Sequence, residues 1–180
     1  MKNKMKKVLI VFTIILTAFL AASCSTLQYE VINKYDKFNG LTTQSMNHNF
    51  MESDKFIGGR YAFDIARFSD KEHLPFYILF IDYIGSDWVF ISKGESLVML
   101  LDGKKLTFTG DGSFEDRHVY DGTVQEIASY KITQNDLFDI VNAKKIEVRV
   151  YGDDYNADLY FSAENKKRVN DFYLKYIIND

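Results

Sequence analysis

The sequence predicts an α+β fold: a curved, mainly antiparallel sheet, a meander or partly closed barrel, with two helices, the last packed on the sheet. Three observations carry this. Several segments alternate apolar and polar residues with period two, the pattern of strands with one buried face. They follow one another through short turns without regular β–α alternation, which sets aside the doubly wound α/β class. Helical stripes of apolar residues are confined to the C-terminal third.

Taken in order, Leu41 to Asn49 is rich in Thr and other polar residues and reads as an edge strand. Tyr61, Phe63 and Ile65 alternate with Ala62, Asp64 and Ala66. Phe76 to Ile84 is almost wholly apolar, as a strand covered on both faces would be. Gly85-Ser86-Asp87 reads as a turn and Trp88 to Ile91 as the returning strand. Leu97–Leu101 and Lys105–Thr109 flank Asp102-Gly103, a type I′ hairpin signal, with Leu106 and Phe108 facing the core. Gly110 to Gly122 reads as a loop and Val124 to Ile132 as a strand. Thr133 caps a short helix, with Asp136 in the capping-box position and Ile132 and Leu137 in the staple positions. That helix ends near Ala143. Ile146, Val148 and Val150 form the inner face of one strand, and Ala157, Leu159 and Phe161 that of the next. Ser162 caps a last helix whose Val169, Phe172, Tyr173, Tyr176 and Ile177 share one face. The total is eight or nine strands and two helices.

The first residues belong to a different class of segment. Lys2, Lys4, Lys6 and Lys7 precede Val8–Leu20, a run of 13 residues without charge. A membrane-spanning helix needs about 17–25 residues, whereas a secretory h-region is shorter. Ala21, Ala22 and Ser23 are small, and Cys24, the only cysteine, follows them. Leu20-Ala21-Ala22-Ser23-Cys24 resembles the cleavage region of bacterial lipoprotein signal peptides, with Leu20 one place earlier than the usual leucine. The resemblance implies cleavage before Cys24, a diacylglycerol thioether with palmitate-type chains on its sulfur, and often a third, amide-linked chain. Each buried methylene contributes about 0.8 kcal/mol, so two chains hold a protein stably where one does not. It also implies a cell-envelope location: the outer membrane if the host has one, since Ser25 rather than Asp follows the cysteine, and the cell surface otherwise. The expected organisation is a signal peptide over residues 1–23, a lipidated N-terminus and short tether over 24–36, and one globular domain over 37–180.

Charge narrows the partners. The full chain carries −3, and the signal segment holds four Lys and no acid, so the remainder carries about −7. A nucleic-acid binder should show a basic stripe; the one basic cluster, Lys166-Lys167-Arg168, reads as a solvated helix face. The 15 Phe and 12 Tyr fall mostly within strand-like segments, so they read as core.

Sites of chemistry are harder to find. The sequence has no GxSxG, GxxxxGK[ST] or HExxH motif, and the single cysteine is assigned to lipid. His48, His73 and His118 lie in separate segments. His118 has Asp111, Glu115, Asp116 and Asp121 near it in sequence, which reads as a polar loop. Asp111–Asp116 fails the calcium-loop pattern, because the sixth position holds Asp116 instead of Gly and the twelfth holds Gly122 instead of Glu. Asp154, Asn156 and Asp158 read as turn chemistry. Trp88 reads as core. Accordingly no catalytic residue, metal site or cofactor is expected, and Cys24 is the one assigned site residue. Tyr35-Asp36-Lys37-Phe38-Asn39-Gly40 resembles the opening of small exported bacterial domains of uncharacterised function, and Ala143–Gly152 resembles their C-terminal unit. In this motif Phe38 is expected to pack and Gly40 to permit a turn. The functional expectation is a lipid-anchored, non-enzymatic domain that binds an envelope protein or a small ligand. The alternatives are a glycan or lipid hydrolase using carboxylates, and a structural accessory of an outer-membrane assembly.

Overall fold

The computed structural model describes residues 27–178 apart from Phe56 and Glu115, so Cys24 and the expected signal segment lie outside the described residues. Ten strands and two helices are found among them. They are β1 (Glu30–Asp36), β2 (Leu41–Asn47), β3 (Gly59–Ser69), β4 (Phe76–Gly85), β5 (Gly94–Leu101), β6 (Lys104–Gly110), β7 (Arg117–Tyr120) and β8 (Thr123–Ile132), then α1 (Gln134–Asn142), β9 (Ile146–Tyr151), β10 (Asn156–Tyr160) and α2 (Ala163–Tyr176). The strands form one sheet in the order β1-β2-β3-β4-β8-β6-β5-β9-β10, with β7 paired outside β8. Every pairing is antiparallel. The architecture is α+β, as the sequence predicts.

Curvature comes from where the ladder thins. β6 meets β8 at one pair, Gly110 opposite Tyr130. A Cβ on Gly110 would sit 2.7 Å from the Tyr130 ring, so only glycine permits this close approach. The two parts of the sheet turn their inner faces onto a shared core. Tyr61, Phe63 and Ile65 of β3, Leu79 and Ile81 of β4, Leu97 and Met99 of β5, and Val148 and Val150 of β9 are all buried there. Leu137 and Ile140 of α1 join them, with Val169, Phe172 and Tyr173 of α2. Thr133 and Ser162 each form a full capping box, with Asp136 and Asn165 as the returning side chains.

The sheet is not closed as a ladder. Between its β3 and β10 regions runs the crossing segment, residues 49–52. Phe50 bridges Ala62 of β3, and Glu52 bridges Tyr160 of β10. Met51 N donates to Tyr61 O at 2.8 Å, and Glu52 and Tyr160 exchange backbone bonds of 3.0 and 2.9 Å.

Several expectations need correction. Residues 30–36 are not tether: they form β1, paired with β2 from Glu30↔Asn47 to Asp36↔Leu41. Its Val31 and Ile32 are both half-buried, so it shows no alternation from which a strand could be read. β2 is consequently internal rather than an edge. Phe38 does not pack; it is 87% exposed at the hairpin tip, where Gly40 turns the chain at φ +65°. β4 buries one face fully, while Ile78, Phe80 and Ile84 on the other are half-buried. Residues 88–91 do not return along β4, whose free side is taken by β8. The expected loop 110–122 contains β7.

Candidate functional site

Two carboxylates hold the loops that shape the molecule's surface, and each does so by seating successive backbone N–H groups. A residue at positive φ points neighbouring amides to one side, making a concave anion seat. His48 has φ +62°, and the N–H groups of His48 and Asn49 both donate to Asp64, each at 3.0 Å. Phe90 has φ +54°, and the N–H groups of Val89, Phe90 and Ile91 donate to Glu126 at 2.5, 3.0 and 3.1 Å. Ser113 Oγ adds a bond of 2.5 Å to Glu126, and the Arg117 guanidinium lies 3.8 Å away. Glu126 is fully buried and Asp64 nearly so. Both carboxylate oxygens of Asp82, also buried, accept from Gln125 Nε2, at 2.9 and 3.0 Å. Burial pushes the Asp64 carboxyl up to about 7; the Asn49 and His48 amides pull it down, and Asp82 adds to the rise. Asp82 is raised as well, by burial, against the pull of Gln125 and His48.

The Asp64 seat aims the crossing segment into a groove of about 650 Å³. Its walls are the chain before β1, the crossing segment, the start of β3 and the first two turns of α2. Arg60 lays its guanidinium 3.6 Å over the Phe50 ring, and His48 stacks on that ring at 5.7 Å. On the opposite wall Arg168 lies 4.6 Å over Tyr29 and donates to Glu164 at 3.1 Å. The floor is polar. Buried Asn165 donates to Asn49 Oδ1 at 2.9 Å and to Phe50 O at 2.7 Å, which ties α2 to the crossing segment. Burial raises the Tyr29 hydroxyl to about 12, against the opposing pull of Arg168, so it is a neutral hydrogen-bonding group at any physiological pH.

A second polar cluster lies inside the sheet. The rings of Tyr61 and Tyr83 are 4.7 Å apart. Tyr83 donates to Asp87 O at 2.8 Å, whereas the buried Tyr61 hydroxyl has no hydrogen-bond partner among the described residues. Burial, with Tyr155 close by, raises the Tyr61 hydroxyl far above the ordinary tyrosine range.

Of the sequence candidates, His48 alone enters the groove, together with none of the other histidines. His73 sits against Asp70 at 3.0 Å on the surface, and His118 is exposed beside Tyr120. Asp111 faces Lys93 at 3.4 Å. Asp158 is held by Arg149 through bonds of 2.5 and 2.7 Å. Trp88 is half-buried against the core. Among the described residues no group of three or more His, Cys, Asp or Glu is arranged to hold a metal ion, and no helix is long and apolar enough to cross a membrane.

Sequence reading missed Asp64, Glu126 and the groove arginines. Two signals were present. Glu126 occupies an inward strand position, in line with Val124, Ala128 and Tyr130. Asp64 lies between Ala62 and Ala66, small residues that leave room for a covering chain. No protein-family model matches this chain, and no curated protein or solved structure matches it either.

Proposed function

We propose that this chain is a lipid-anchored cell-envelope protein whose domain binds a small ligand or an envelope protein in the groove between the crossing segment and α2. The observation that carries this reading is the groove itself: two arginines stacked on aromatic rings over a floor of buried, hydrogen-bonded asparagine. Stacking fixes each guanidinium while leaving N–H donors for a ligand. The volume falls in the range of small-ligand sites, about 300–1,000 Å³. The buried carboxylates Asp64 and Glu126 are engaged in holding chain segments and Asp82 in bonds from Gln125, so binding is better supported than a hydrolytic carboxylate pair.

Crosslinking in intact envelopes, followed by capture of the full-length protein, tests the reading. The wild type should carry a specific adduct that an Arg60→Glu, Arg168→Glu double variant loses. An identical adduct pattern in both proteins, or turnover of an envelope glycan by the wild type, would contradict it.

An accessory role in an envelope assembly draws on a separate observation. β1 is the outer strand of the ladder, and Tyr35 and Phe38 beside its hairpin tip are 66% and 87% exposed. Such an edge can accept a strand from another protein, although Lys34 on it is a typical guard against uncontrolled pairing.

A further inference from the structure

The groove and the proposed anchor lie close together along the chain. Leu27 and Gln28 line the groove, and Leu27 is three residues from Cys24. Three residue steps span at most about 11 Å. A domain held by lipid on Cys24 therefore keeps the Leu27 wall of this groove within about 11 Å of the lipidated residue, next to the lipid headgroups. The mature chain is acidic, so attraction of the whole domain to an anionic surface is disfavoured. Recognition there must then come from particular side chains.

Those side chains carry both signs. Arg60 is exposed, stacked on Phe50, and has no carboxylate partner among the described residues. Arg168 adds a second guanidinium on the facing wall. A guanidinium fork matches the oxygens of a phosphate ester. Glu52 is exposed on the crossing-segment wall and gives a cation a carboxylate to approach, whereas Glu164 is already paired with Arg168 at 3.1 Å. Phosphate and ammonium joined by a short linker would satisfy both. We infer that the groove binds the headgroup of a zwitterionic, amine-bearing phospholipid, with Arg60 on the phosphate and Glu52 on the ammonium. The inference rests on the proposed anchor for its nearness to the membrane, but headgroup binding itself can be measured without a membrane.

The test is calorimetric titration of the mature protein in nonionic detergent with glycerophosphoethanolamine. Glycerophosphoglycerol, which lacks the amine, and inorganic phosphate are the comparisons. The amine-bearing probe should bind at one site, at least tenfold more tightly than either comparison. Arg60→Ala should weaken it tenfold or more. Glu52→Gln should erase the preference for the amine and leave the phosphate-bearing probes equal. Both side chains are exposed, and a retained circular dichroism spectrum confirms that the variants fold. Equal binding of all three probes means that the site reads phosphate alone and overturns the inference, as does an unchanged affinity in Arg60→Ala or no binding of any probe. An unmodified Cys24 would remove the anchor without altering this titration, so the two failures are distinct.

Discussion

Glu126 stands on the inner face of β8, where an acid is expensive unless its oxygens are fully used. It satisfies three consecutive amides and the Ser113 hydroxyl, and so fixes the chain between β4 and β5 and the start of the β7 hairpin. Glu126→Ala leaves these donors buried without an acceptor and should cost about 3–5 kcal/mol in a urea unfolding experiment. Glu126→Gln keeps one acceptor oxygen and should cost about 1–3 kcal/mol. A loss below 1 kcal/mol in the alanine variant would show that the loops hold themselves. Asp64 makes a different prediction, in pH. Its carboxyl rises from 3.8 to about 7, so between those values the folded state binds a proton that the unfolded state has released. The stability it contributes is full below about pH 4 and is lost as pH climbs through 7. Thermal unfolding should therefore show the wild type more stable at pH 5 than at pH 8, by on the order of 1–3 kcal/mol. Asp64→Asn should flatten most of that slope; a wild type that gains stability toward pH 8 would contradict the assignment.

At the scale of elements, the local signals were the readable ones. Asp102-Gly103 turns β5 into β6 with both residues at positive φ, +51° and +88°. Its second task left no trace in sequence: the Asp102 carboxylate accepts from the backbone of Lys144 and Lys145, which docks the hairpin tip on the α1–β9 connection. The Thr133–Asp136 capping box was legible because it spans four residues; at the last helix the Ser162 cap was legible but its return from Asn165 was not. Ser162→Ala should destabilise the domain by about 0.5–2 kcal/mol. Asn165→Ala should cost more than Ser162→Ala, because Asn165 also ties α2 to Asn49 and Phe50; a smaller loss would mean that this tie is energetically idle. β1 and β7 were not legible. β7 is four residues long with three of them exposed, and β1 is stabilised by pairing with β2 rather than by a buried face. The groove was invisible for a related reason. Its walls come from segments more than a hundred residues apart, joined by contacts such as Asn165 to Asn49, and no local pattern encodes that.

For the molecule as a whole, β1 shortens the reach of the domain. With residues 30–36 in the sheet, only residues 25–29 separate Cys24 from the first strand, a span of at most about 20 Å instead of the 40 Å that a twelve-residue tether would allow. The proposed lipid on Cys24 would hold such a domain against the bilayer surface, with the Arg60–Arg168 groove beside the attachment. The most direct test is intact mass spectrometry of the N-terminal peptide from protein purified out of its native membrane. The account predicts a chain beginning at Cys24 with a mass increment of a thioether-linked diacylglycerol. An unmodified Cys24, or a chain that still carries residues 1–23, would contradict it.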